Sequence, residues 1–220
     1  MLADRIVFMD GEAIVLDKPA GLPVATPRAG GTSVEALAPA VLRFGFSRAP
    51  TPVHRLDQDT SGCLLLARNP KAHRRLAAAF EAGEVVKTYL ALLDGLPEGE
   101  GGVIDLALAK RSSRAAGWRI VADPRGQPAR TRWTLLDRVG GGALVAFMPE
   151  TGRTHQLRVH AASGLGVPIV GDPIYGRGGG PMRLHAWKLV VPRGEKPAIS
   201  ACAPLPPGFP PLPREFADAA

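Results

Sequence analysis

His54-Arg55-Leu56-Asp57-Gln58-Asp59-Thr60-Ser61-Gly62 is the stretch whose chemistry decides how the rest of the chain is understood. It crowds an arginine, two carboxylates and two hydroxyls between Pro52 and the apolar run Cys63-Leu64-Leu65-Leu66-Ala67. Such a polar cluster makes a poor core and a good active-site loop. The apolar run behind it reads as a buried strand, followed by Asn69 as N-cap, Pro70 at the first helical position and a helix to about Ala82 that Gly83 closes. Leu76, Ala79 and Phe80 of that helix would face the core.

Outward from this stretch, 220 residues suffice for a substantial core in one domain or two packed halves, without disulfide or metal staples, and one domain is the default. The 26 glycines and 22 prolines predict many turns and short, partly β elements, which excludes a plain helical bundle. A net charge of +7 points to a polyanion, nucleic acid first and an acidic membrane surface second, although solubility alone would also account for it. Two cysteines, Cys63 and Cys202, are too few for a disulfide framework or a four-ligand zinc site and fit a reducing compartment. With no apolar segment long enough to span a bilayer, the expected location is cytoplasmic.

The chain opens with two β-prone runs, Arg5 to Met9 and Glu12 to Leu16, joined by Asp10-Gly11, a pair suited to a type I′ hairpin turn. Pro19, Gly21 and Pro23 predict an ordered extended loop, in which Lys18 reads as solvated. Ser33 can cap a helix to about Arg43 that Pro39 should kink or end. Lys71, Arg74 and Arg75 read as the solvated face of the helix after Pro70. Runs at Val85 to Leu93, Val103 to Leu108, Trp118 to Ala122, Ala129 to Leu136 and Ala143 to Met148 predict an antiparallel meander. Thr154 would cap a short helix from His155 to Ala162, Val167 to Val170 reads as a short strand, and Leu184 to Val191 as the last one. The tail from Pro204 to Pro213 is proline-rich and extended.

Within the meander, Lys110, Arg111, Arg114, Arg119, Arg125, Arg130 and Arg132 are interrupted only by Asp123 and lie near Trp118 and Trp133. Cations interleaved with aromatics suit an RNA backbone, and an arginine-rich composition is the plain alternative.

Several chemistries are excluded. Asp57, Asp59, Ser61 and Gly62 imitate the start of a calcium loop, but its closing glutamate position is Arg68. His155 and His160 are one residue too far apart for a helical zinc pair, and His160 reads as a structural hydrogen-bonder. No nucleophile elbow, phosphate loop or dinucleotide fingerprint is present. What remains is a carboxylate acting at a sugar or a base, Asp57 beside Arg55, with Asp59 in an Asx-turn that holds downstream amides; a glycosidase pair and a plain turn stay open on spacing alone.

The segment His-Arg-Leu-Asp-x-x-Thr-Ser-Gly resembles the signature of the RluA-type pseudouridine synthases. Asp17-Lys18-Pro19-Ala20-Gly21, Lys87-Thr88-Tyr89-Leu90-Ala91, Gly152-Arg153-Thr154-His155-Gln156-Leu157-Arg158-Val159-His160, Gly171-Asp172-Pro173-x-Tyr175-Gly176 and Leu184-His185-Ala186 resemble further family motifs in the family's order. The resemblance runs from about residue 6 to about residue 213. It implies an α+β pseudouridine synthase catalytic fold: a mixed, largely antiparallel sheet with flanking helices and a central cleft, in a single catalytic domain over 1–220.

It also implies an isomerase that converts a specific uridine of structured ribosomal or transfer RNA to pseudouridine by base flipping, needing no cofactor and no metal. Asp57 would be the essential aspartate, Tyr89 would stack on the uracil, and Arg158 would pair with Asp57 and keep it ionised. Arg55 would fill the gap left by the flipped base, and Arg55, Arg153 and Arg130 would contact RNA. The expected partner is an RNA stem-loop, no membrane is involved, and the chain is expected to act as a monomer. Two departures stand out: Asp17 where relatives often have Asn, and a hairpin that begins at once, with no separate N-terminal RNA-binding module expected. A nucleoside or glycoside hydrolase using Asp57 and Asp59, and a catalytically silent RNA-binding module, are the competing classes.

Overall fold

The computed structural model describes residues 1–113 and 117–218, so Arg114, one of the cations expected near RNA, lies outside the described residues. In the first half of the chain the elements are β1 (Ile6–Met9), β2 (Ala13–Lys18), α1 (Val34–Val41), β3 (Thr51–Pro52), β4 (Ser61–Ala67), α2 (Pro70–Glu81), β5 (Val86–Leu93) and β6 (Gly101–Asp105). They continue with β7 (Leu108–Ser113), β8 (Gly117–Ala122), β9 (Arg130–Val139), β10 (Gly142–Pro149), α3 (Gln156–Val159), β11 (Leu184–Arg193), β12 (Lys196–Cys202) and α4 (Arg214–Asp218). The pairing of β4 with β11 is parallel, whereas β1–β2, β2–β4, β3–β4, β11–β12, β5–β10, β9–β10, β6–β9 and β7–β8 are antiparallel, which fits the expected α+β class. Packing divides the chain into two compact units, Met1–Lys87 with His185–Pro206, and Thr88–Leu184 with the chain from Pro207. Among the described residues, no helix is long and apolar enough to cross a membrane.

In the first unit the strand order is β1-β2-β4-β11-β12, with β3 beside β4. Every residue of β2 and β4 is buried, which is why both read as continuous runs instead of alternating ones. The helix α2 starts as its caps predict: the Asn69 side chain accepts from the Ala72 amide, Pro70 follows, and Gly83 takes φ +72. Its Ala72, Leu76 and Ala79 pack with Val15, Leu65, Leu189 and Val191, and burying Leu76 alone contributes about 2 kcal/mol. Ser33 caps α1 as expected, through its hydroxyl on the Ala36 amide, and Pro39 sits inside that helix.

Four expectations are corrected in this unit. The β1–β2 turn does not use a positive φ at Gly11; the Asp10 carboxylate accepts from the Glu12 and Ala13 amides and closes the turn itself. Arg75 is not merely solvated, because it binds Glu12 at 2.5 Å. Lys18 is buried. Finally, β11 is not the last strand: β12 pairs with it as an edge strand whose Pro197 and mostly exposed positions hide it from an apolar-run search.

In the second unit β10 lies between β5 and β9, and β6 completes the order β5-β10-β9-β6 in place of a simple meander. Its core gathers Trp133, Val145, Phe147, Leu157 and Met182. A separate hairpin, β7–β8, pairs Lys110 with Ile120 and Ser112 with Trp118, and its polar first strand escaped the hydrophobic pattern. The expected strand at Val167 to Val170 is reduced to one bridge, Leu93 to Ile169. Thr154 does not cap α3; His155 occupies the cap position at φ +54 with no side-chain hydrogen bond to the helix's own amides, and a π-helical turn over His160–Gly164 follows. His160 is the expected structural hydrogen-bonder, paired with the Thr131 hydroxyl at 2.9 Å and the Leu106 carbonyl at 3.2 Å.

Candidate active site

The loop between β3 and β4 is pinned at both ends. At its start the Leu65 amide donates to His54 Nε2 at 3.0 Å while Phe80 stacks on the ring with centroids 4.7 Å apart. Burial pushes the His54 imidazole down to about 4, so it works as a neutral acceptor. At its end Gly62 takes φ +103, and a Cβ there would lie 2.2 Å from the Ala186 carbonyl oxygen. Only glycine allows β4 and β11 to approach this closely. Leu56 points into the protein, Asp57 and Asp59 are half-buried, and Arg55 is exposed.

The backbone between the two aspartates is held from beneath. The Gln58 carbonyl accepts from the Gly21 amide at 2.9 Å and from Lys18 Nζ at 2.9 Å. Lys18 is wholly buried and also donates to the Pro19 and Leu22 carbonyls at 2.9 and 2.8 Å. Burial pushes its ammonium down to about 8, against the attraction of Asp59, Asp57 and Asp17. Thus the Lys-Pro-x-Gly-like segment is the cradle of the Asp57 loop: a buried cation fixes one carbonyl of the loop and sets positive potential beneath two carboxylates. Sequence reasoning missed this role, and the signal was available, since an Asp17-Lys18 pair closing the apolar run Ala13-Ile14-Val15-Leu16 is unusual. The expected Asx-turn at Asp59 is not what closes the loop; the Thr60 amide donates to the Asp57 carbonyl at 3.1 Å, and no described amide bonds to the Asp59 carboxylate.

In the second unit Arg158 lies on α3 with a partner the sequence did not suggest. Its Nε and Nη2 donate to the two oxygens of Asp172, each at 2.7 Å, and both side chains are almost completely buried. Burial alone would raise the Asp172 carboxyl, but Arg158 and the Tyr175 and Ile174 amides outweigh it and hold the group below the usual carboxylate range. The Gly-Asp-Pro-x-Tyr-Gly segment therefore forms a socket for the guanidinium plane. Tyr175 extends the socket: its ring lies 5.2 Å from the Arg158 guanidinium, and its hydroxyl pairs with His155 Nδ1 at 2.9 Å and accepts from the Ile120 amide at 3.0 Å.

Tyr89 lies on β5 opposite Phe147, half-buried against the core. Arg153 is exposed, with Nε on the Pro128 carbonyl at 3.1 Å. Arg130 is exposed too, but Glu150 lies 3.4 Å from it and 2.6 Å from Arg132, so an acid offsets part of the basic stripe. Asp123 likewise engages Arg111 and Arg125.

The α+β scaffold thus carries an anchored loop with two carboxylates in one unit and a guanidinium clamped by a buried carboxylate in the other. The chain matches the family described as RNA pseudouridylate synthase over residues 12–163. An uncharacterized RNA pseudouridine synthase of Zymomonas mobilis is 58% identical over 213 residues, covering 95% of this chain and 97% of that protein. The ribosomal large subunit pseudouridine synthase D of the same organism is 41% identical over 180 residues, where the match covers 79% of this chain but 56% of that longer protein. Among solved structures, human RNA pseudouridylate synthase domain containing 4 superposes with TM-score 0.77 at 26% identity, over 98% of this chain and 91% of the human one. The chain belongs to the RluA-type pseudouridine synthase family and is an isomerase acting on RNA.

Proposed function

We propose that this enzyme converts one uridine of a structured ribosomal or transfer RNA to pseudouridine in the cytoplasm, as a monomer, with Asp57 as the essential carboxylate. The observation that carries this reading is the anchoring of the Asp57 loop by Lys18, Gly21 and His54. A reacting carboxylate must be held to a fraction of an ångström, and such tethers accomplish that. In the reaction the bond from uracil N1 to the sugar breaks, the ring turns, its C5 joins the same sugar carbon, the C5 proton leaves and the freed N1 takes up a proton. Mass is conserved, so the reaction itself requires neither an energy source nor a redox partner.

Whether the carboxylate attacks the sugar, attacks the base or removes a sugar proton, it must be ionised. Tyr89 stacks on the flipped uracil, and Arg158, its plane fixed by Asp172, serves as the cation that keeps Asp57 charged and oriented. Arg55, exposed on the same loop as Asp57, fills the space that the flipped nucleotide vacates, and Arg153 and Arg130 contact phosphate. Ribosomal RNA is favoured by the similarity to a ribosomal large subunit pseudouridine synthase D. The test is to map pseudouridine in ribosomal and transfer RNA from cells with and without the gene. Loss of one defined modification supports the reading, and an unchanged map contradicts it.

A further inference from the structure

The β7–β8 hairpin has two unlike faces. Cross-strand register places Leu108, Lys110, Ser112, Trp118 and Ile120 on one side and Arg111 and Arg119 on the other. The first face is fastened to its own unit: Leu108 and Ile120 are buried with Ala129 and Val159, and the Tyr175 hydroxyl accepts from the Ile120 amide. Further along the same face Trp118 stays 48% exposed, although Trp133 and Trp187 are only 5% and 7% exposed. An indole left half in water on a docked hairpin offers an aromatic face on which a ligand ring can stack.

Its surroundings specify one. Lys110 Nζ lies 5.2 Å from the Trp118 ring centre, and the His155 ring lies 5.2 Å away, tilted by 31°. Lys110 also lines a cavity of about 450 Å³ with Arg125, Gly126, Gln127, Arg153 and Thr154. That volume lies in the range that accepts a nucleotide-sized ligand. Lys110 makes no ion pair with a described residue, Arg153 donates only to a backbone carbonyl, and Asp123 touches Arg125 at 3.7 Å. Aromatic face, three cations and an open cavity together match a base and its phosphate.

We infer that this hairpin carries a second nucleotide subsite, in which Trp118 stacks an unpaired base of the RNA other than the target uridine and Lys110, Arg125 and Arg153 hold its phosphate. The subsite rests on the RNA-isomerase reading and adds a determinant of which RNA is chosen. It favours substrates with a second unpaired base near the target and disfavours fully paired ones.

The test uses the full chain and an oligouridylate octamer, with intrinsic fluorescence and filter binding read in parallel. Because Trp133 and Trp187 are buried, quenching by the octamer reports Trp118. The subsite predicts saturable quenching in the wild type. Trp118→Phe should lose the signal yet keep the affinity, and Trp118→Ala should bind about tenfold or more weakly. Lys110→Ala and Arg153→Ala should each lower the salt dependence of binding by about one charge. Unchanged affinity in Trp118→Ala, or quenching that persists in Trp118→Phe, overturns the subsite. If the subsite fails in this way while Asp57→Ala still abolishes isomerisation, the enzyme reading stands alone. If Asp57→Ala retains isomerisation, it is that reading that fails.

Discussion

Replacing Lys18 with Met tests whether the buried ammonium serves the reaction or only the fold. The pull from the usual 10.5 down to about 8 means that keeping the ammonium charged costs the folded protein ~3 kcal/mol. Lys18→Met removes that cost but leaves the Pro19 and Leu22 carbonyls without their charged donor, at ~1–3 kcal/mol each; the Gln58 carbonyl keeps the Gly21 amide. The opposing effects change stability by between a gain of about 1 and a loss of about 3 kcal/mol, so the variant should fold. Its turnover should nevertheless fall about 100-fold, because a loop slackened by ~1 Å misplaces the carboxylate.

The pH dependence has an unusual sign. Between pH ~8 and ~10.5 the unfolded chain binds the Lys18 proton more tightly than the folded one, so the contribution of Lys18 to stability rises with pH while turnover falls. Single-turnover rates on the RNA substrate from pH 6.5 to 10, alongside urea unfolding, check both limbs. A Lys18→Met enzyme with turnover within twofold of wild type, or with the same fall in rate above pH 8, would refute the assignment.

Arg158→Ala, which leaves the Asp172 carboxylate buried and uncompensated, should cost ~3–5 kcal/mol in urea unfolding, while Arg158→Met with Asp172→Asn should recover most of the stability and none of the turnover. Because Asp172 is held below the usual carboxylate value, the stability it supplies is present above about pH 4 and is lost as pH falls further; Asp172→Asn should flatten that part of the acid-unfolding curve. Gly62→Ala meets the Ala186 backbone and an unfavourable φ together and should destabilise by more than about 3 kcal/mol, seen as loss of soluble protein or a large fall in Tm.

Much of this was legible in the sequence. The caps at Ser33 and Asn69, the buried strand after Gly62 and the hairpin at residue 10 are local features, and local propensity decided them. β12 and β7 were not legible, since an edge strand and half of a polar hairpin gain their order from partners and not from apolar periodicity. The same division runs through the site. Motif order marked Asp57, Tyr89 and Arg158, but the burial of Lys18 and the clamping of Arg158 by Asp172 depend on contacts between segments far apart in the chain. Thr154 lost the cap of α3 because His155 takes a left-handed backbone angle and an aromatic pairing with Tyr175.

Tritium release from C5-labelled uridine in cellular RNA reports most directly whether Asp57 carries out the isomerisation. The wild-type enzyme should release tritium, with recovery of pseudouridine and no free uracil, and Asp57→Ala should release none at equal folded concentration. Release by Asp57→Ala, or liberation of free base by the wild type, would contradict this reading.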